Sequence, residues 1–146
     1  MNRKELLAQC QEWHKQNEHQ KIIDTLEAIP ERKRTRETDM ELARAYNNLA
    51  DDEELDWSDS RIMLRRAIEL MSPYEDELSE DYTWNFEMGF AHLFLEQEGS
   101  ALWYLEDALR LYPGDDFGLS SREVIEGLIN GSKAGLALPD FQKLYS

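Results

Sequence analysis

The chain has 146 residues, 41% of them hydrophobic and 10% aromatic, enough apolar side chain to bury one core without disulfide or metal staples and too much for a disordered polymer. An excess of 31 acidic over 16 basic residues leaves a formal net charge of -15, which repels phosphate backbones and anionic lipid heads and removes nucleic acid and membrane surfaces as leading partners. With only 7 Gly and 4 Pro, and with β-branched residues too scattered for alternating runs, the fold class is all-α.

Residues Arg3 to Gln16 carry Leu6, Leu7, Cys10 and Trp13 at helical spacing, and after a polar break at Asn17 a second apolar set, Ile22, Ile23, Leu26 and Ile29, runs to Pro30. This is a first helical hairpin, about 3–30. The charged stretch ERKRTR, Glu31 to Arg36, then reads as a solvated connection, with an anchor for an acidic partner as the alternative use of its basic residues. Thr38 to Ala50 place Met40, Leu42, Ala43, Tyr46 and Leu49 on one side of a third helix. The acidic loop Asp51 to Trp57 follows, and a fourth helix from Ser58 or Ser60 bears Ile62, Met63, Leu64, Ala67, Ile68 and Leu70, closing a second hairpin, about 37–72. The loop lacks the alternating oxygen ligands, mid-loop glycine and distal glutamate of a calcium-binding loop, so it is not read as a metal site.

A second acidic stretch, Tyr74 to Asp81, leads into the third hairpin, about 81–113, where Gly89 and Ala101 are small at the point two helices must touch and Pro113 ends the second helix. Ser120 three residues before Glu123 has capping-box spacing and predicts a short helix, about 120–130, carrying Val124, Ile125, Leu128 and Ile129 and stopping near Asn130 and Gly131. Such a helix would cover the last open apolar face of a helical array. Residues 132–146, with Leu136, Leu138, Pro139, Phe141, Leu144 and Tyr145, are too apolar for a free tail and too few for a domain.

The third hairpin resembles a tetratricopeptide repeat, whose pattern is W-x2-L-G-x2-Y, then A-x3-F, then P. Met88 and Gly89 stand at the L-G pair, His92 at the tyrosine, Ala101 at the alanine, Leu105 at the phenylalanine, Ala108 at the next small site and Pro113 at the proline, with Trp84 one position early. In the second hairpin Leu42, Ala43 and Tyr46 match one half and Ser60, Leu64 and Ala67 the other, given an insertion of about five residues around Asp51 to Trp57. The first hairpin places Leu6, Cys10, Trp13, Ile22 and Leu26 in the equivalent sites, Ile22 being bulky where alanine belongs. The resemblance implies a right-handed α-α superhelix of about three such repeats plus a capping helix, spanning 1–131 as one repeat domain. Val124 to Tyr145 also resembles the region beyond the repeats in longer bacterial proteins of this kind, which makes 132–146 either a segment packed back on the repeats or a junction to a further domain.

In arrays of this type the first helix of each hairpin lines a concave groove that holds an extended peptide or a helix. The resemblance places there Leu7, Gln11 and His14, then Met40, Glu41, Arg44 and Asn48, then Thr83, Phe86, Glu87, Phe90 and Phe94. Members that clamp a partner's terminal carboxylate need Lys, Asn and Arg at such sites; Glu41 and Glu87 beside Arg44 argue against that activity. The partner-binding set is therefore Met40, Glu41, Arg44, Asn48, Phe86, Glu87, Phe90 and Phe94, and it suits a basic protein or peptide with an apolar anchor. Phe86, Phe90 and Phe94 recur every fourth residue, and three uses of that strip stay open: a partner groove, a face covered by Leu138, Phe141 and Leu144, or plain core or a dimer contact.

Cys10 and His14 sit four apart with His19 nearby, but a helical i, i+4 pair is a common chance spacing and no further ligand set accompanies it. His92, at a packing position, is expected to be a buried, hydrogen-bonded imidazole. With no Gly-rich phosphate loop, nucleophile elbow or HExxH pair in the chain, no catalytic residue, metal or cofactor is expected. The expected function is a non-enzymatic protein- or peptide-binding scaffold; a regulatory or immunity-type assembly module of a multidomain bacterial protein, and an enzyme with a cryptic carboxylate or metal site, are the alternatives. Cys10 has no internal disulfide partner, no N-terminal stretch has the form of a signal peptide, and no apolar run approaches the roughly 20 residues of a membrane helix, so the cytoplasm is the expected compartment.

Overall fold

The computed structural model describes residues 2–52, 54–114 and 122–133. Among these every regular element is a helix: α1 (Arg3–Lys15), α2 (His19–Glu27), α3 (Arg36–Ala50), α4 (Trp57–Met71), the single turn α5 (Glu75–Leu78), α6 (Tyr82–Phe94), α7 (Glu98–Arg110) and α8 (Arg122–Lys133), with short 3-10 turns at Glu31–Lys33 and Ser72–Tyr74. None is long and apolar enough to cross a membrane. Contacts along the chain gather into two compact units, Met1–Pro73 and Tyr74–Ser146.

In the first unit α3 is the hub, packing against α1, α2 and α4. Asn2 caps α1 by accepting the Glu5 amide at 2.8 Å, and the helix ends where Asn17 takes a left-handed φ of 57°, a conformation that asparagine tolerates better than most residues. Glu18 N–H then reaches back to the Trp13 carbonyl at 2.8 Å, so the chain reverses with its terminal carbonyls satisfied. α2 buries Ile22, Ile23 and Leu26. Thr35 opens α3 with a reciprocal capping box: its hydroxyl accepts the Thr38 amide at 3.3 Å, and the Thr38 hydroxyl accepts the Thr35 amide at 2.8 Å. α3 buries Leu42, Ala43 and Ala45, and α4, which begins at Trp57 rather than at Ser58 or Ser60, buries Ser60, Leu64, Ala67, Leu70 and Met71.

The connection between α2 and α3 departs from the solvated reading at one position. Arg32, Lys33 and Arg36 are exposed, but the Arg34 side chain is only 6% exposed, with Nε 3.2 Å from Asp39 and Nη1 3.7 Å from Glu27. The same Nη1 donates to the Ile29 carbonyl at 3.0 Å. Neighbouring Arg66 of α4 donates to Glu27 at 3.0 Å, so one carboxylate of α2 serves a cation in the link and another on α4.

In the second unit α7 packs against α6 on one side and α8 on the other. Asp81 caps α6 by accepting the Trp84 amide at 2.9 Å. The turn after α6 repeats the one after α1: Glu96 is left-handed at φ 64°, and Gln97 N–H reaches the His92 carbonyl at 2.9 Å. Both first helices have 13 residues, which puts Cys10 of α1 in register with Gly89 of α6 and Ile22 of α2 with Ala101 of α7. Gly89 is there because nothing larger fits: a Cβ would lie 2.7 Å from Leu105 Cγ and 3.2 Å from its backbone nitrogen. Ala101, Leu105 and Ala108 of α7 are fully buried beneath it.

α8 buries Ile125, Leu128 and Ile129 against α7, and it runs through Gly131 to Lys133 instead of stopping near Asn130. A glycine inside a helix costs only about 1 kcal/mol relative to alanine, too little to end it by itself. The Ser120 half of the expected capping box, and residues 134–146 with the expected covering set Leu138, Phe141 and Leu144, lie outside the described residues.

Candidate functional site

Each unit holds part of the set that the resemblance implies. In the first, α3 carries Met40, Glu41, Arg44 and Asn48 along one side, all four half-buried, because positions three and four apart share a helix face. Glu41 collects the polar groups of α1 onto this strip. It accepts from Gln11 Nε2 at 2.8 Å, its other oxygen lies 2.7 Å from His14 Nε2, and Arg44 Nη1 stands 4.0 Å away while donating to Gln11 Oε1 at 3.1 Å. The structure thus brings Gln11, His14, Glu41 and Arg44 into one network, and Leu7 stays half-buried.

The His14 ring packs against His19, with centroids 5.8 Å apart, and the Nδ1 atoms of both are buried without a hydrogen-bond partner. Burial first, then His14 and Arg44, hold the His19 imidazole below its ordinary titration range. Burial, then the Glu41 charge, pushes the Cys10 thiol up to about 11, so it stays protonated and unreactive near neutral pH. Among the described residues no three His, Cys, Asp or Glu side chains are placed to hold a metal ion.

In the second unit Phe86, Phe90 and Phe94 form a ladder up α6, with ring centroids 6.3 Å and then 4.5 Å apart, the closer pair edge to face. Tyr82 extends it one turn earlier, stacked 6.5 Å from Phe86 and edge-on to Tyr112; sequence reasoning stopped at the phenylalanines although the i-4 spacing was available. Phe86 is 7% and Phe94 4% exposed, Glu87 is buried, and Phe90, Tyr82 and Thr83 are half-buried. Every residue from Trp84 to Gly89 is buried, so α6 is enclosed on all sides over that stretch and Phe90 is the accessible rung.

His92 is half-buried rather than buried. Its Nδ1 is hydrogen-bonded to Gln97, and its ring stacks on Tyr104 at 5.3 Å. Tyr104 is edge-on to Trp84 and donates to Glu75 at 3.4 Å, and its phenol is pushed up by burial and then by that carboxylate. These are packing roles.

Chemically, the α3 strip offers one carboxylate and one guanidinium beside the apolar Met40, and α6 offers an aromatic rung. Neither holds an activated nucleophile. Comparison of the chain with protein-family models, with curated proteins and with solved structures gives no match.

Proposed function

We propose that the chain is a non-enzymatic helical-repeat module of the tetratricopeptide type, binding a protein or peptide on its first helices: along Met40, Glu41, Arg44 and Asn48 of α3, and at Phe90 of α6, where Phe86, Glu87 and Phe94 are buried beneath. The observation that carries this reading is that the turn closing α1 is built again after α6, with Asn17 and Glu96 both left-handed after first helices of 13 residues. A hairpin repeated to that degree, with Gly89 against Leu105 at its crossing, is the unit from which binding scaffolds are assembled. Phe90, half-buried at the middle of the aromatic ladder, is the anchor point, since aromatic side chains dominate such interfaces.

The net charge of -15 favours a basic partner. The test is crosslinking in native cell extract followed by identification of the partners captured by the wild type and by Phe90→Glu. Loss of the main partner supports the assignment of α6, and an unchanged partner list refutes it. Glu41→Lys read the same way tests α3, where reversal of charge should lose the basic partner.

A further inference from the structure

α1 is attached to its neighbours by unusual means. Its buried side chains are one thiol and one imidazole, Cys10 and His14, whereas α2 buries three aliphatic residues. Leu6, Leu7 and Trp13 are each half-buried, and the Glu41 network adds the side-chain hydrogen bonds that join α1 to α3.

The charged and titratable groups facing this junction are Cys10 and His14 from α1, His19 from α2, and Glu41 and Arg44 from α3. Arg44 is permanently charged, and the thiol, pushed up to about 11, is neutral. Near neutral pH the Glu41 carboxylate therefore balances Arg44. On acidification a proton on His19 adds positive charge beside Arg44 and against the His14 ring, in a cluster whose one carboxylate is already shared by His14, Gln11 and Arg44. An imidazolium also needs an acceptor at each ring nitrogen. His19 Nδ1 is buried with no acceptor, so a second proton on that ring would enclose an N–H without a partner.

We propose that α1 is an acid-released arm: protonation of His19, whose ring packs on His14 of α1, detaches α1 from α3 while α3 and α4 stay packed. The reference pair survives because α3 and α4 bury Leu42, Ala43, Leu64, Ala67 and Met71, none of which titrates. The sign follows from linkage. His19 is held below its ordinary range by burial, His14 and Arg44, so the folded junction binds its proton more weakly than the released one. Its full stability is present above the ordinary imidazole value of about 6.5 and is lost as pH falls toward the lowered one. The release stands on the geometry of the first unit and does not depend on what the protein binds.

The test is amide hydrogen exchange on the full chain at pH 7.5 and 5.5, corrected for intrinsic rates, comparing amides of α1 with those of α4. Protection of α1 is expected to fall by up to about tenfold, the most one histidine contributes over the roughly one pH unit between its ordinary value and pH 5.5, while α4 changes little. An unchanged α1, or a parallel fall in α1 and α4, overturns the proposal. His19→Gln should abolish the differential fall; a fall as large as in the wild type overturns the histidine assignment, and because His19 is half-buried the variant is expected to fold.

Discussion

Gly89 shows how one hydrogen atom sets the distance between two helices. Replacing it with alanine would gain about 1 kcal/mol of helix propensity, but the new methyl meets Leu105 at Cγ and Cδ2, both 2.7 Å away, and its backbone nitrogen at 3.2 Å. Cγ is not a free side-chain tip and the nitrogen cannot turn aside, so overpacking wins. Gly89→Ala is expected to destabilise by about 1–2 kcal/mol net, read as a lower urea midpoint with unchanged slope. Glu96 presents the opposite case. It holds φ 64° without being glycine or asparagine, and its side chain is exposed, so little is lost by removing it. Glu96→Gly should stabilise by about 0.5–1 kcal/mol, whereas Asn17→Gly at the matching turn should gain less, because asparagine already tolerates that conformation. Thermal melts of the two variants beside the wild type check the ranking.

At the scale of elements, the link between α2 and α3 encloses the side chain of Arg34. Arg34→Ala would remove the partner of Asp39 and Glu27 and a donor to the Ile29 carbonyl. A charged hydrogen-bonding group buried to this degree is worth about 2–3 kcal/mol, while Arg32→Ala, exposed in the same link, should stay within about 0.5 kcal/mol. Chemical denaturation of both variants measures the contrast. Nothing in ERKRTR distinguishes these arginines, since the burial of Arg34 depends on Glu27 and Asp39 arriving from two different helices. The all-helical class was legible, because helical spacing and breaks such as Asn17, Pro30 and Pro113 act locally on the backbone. The Phe86, Phe90 and Phe94 spacing correctly places three rings on one side of α6, yet periodicity states only that residues share a face, not how far it is enclosed. A fuller signal was present in YTWNFEMGFAHLF: a helix apolar around most of its circumference is one that is buried. The Glu41 network was least legible. Gln11 and His14 meet Glu41 only after α1 docks on α3, and a lone Cys10–His14 spacing carries no sign of that encounter.

For the molecule as a whole, 31 carboxylates against 16 Lys and Arg make self-repulsion a standing cost of compaction. Salt acts on this repulsion and on the ion pairs in opposite directions, so the balance has to be decided by magnitude. Pairs such as Lys15–Glu12 and Arg122–Glu126 join exposed side chains on a single helix, where each contributes only a few tenths of a kcal/mol at most. Arg34 is enclosed and is screened far less than a surface charge. The repulsion is shared by every acidic group within a Debye length, about 10 Å at 0.1 M salt, and it should dominate. Raising sodium chloride from about 20 to 500 mM is therefore expected to raise the melting midpoint by about 2–4 °C, the response of a chain of this size to about 1 kcal/mol. Sucrose at equal osmolality separates screening from general exclusion effects. The same salt should weaken capture of a basic partner, so stability and binding would move in opposite directions along one titration. A midpoint that falls with salt would show that the helix-to-helix ion pairs centred on Glu27 and Glu41, and not the excess of carboxylates, set the electrostatic balance of the fold.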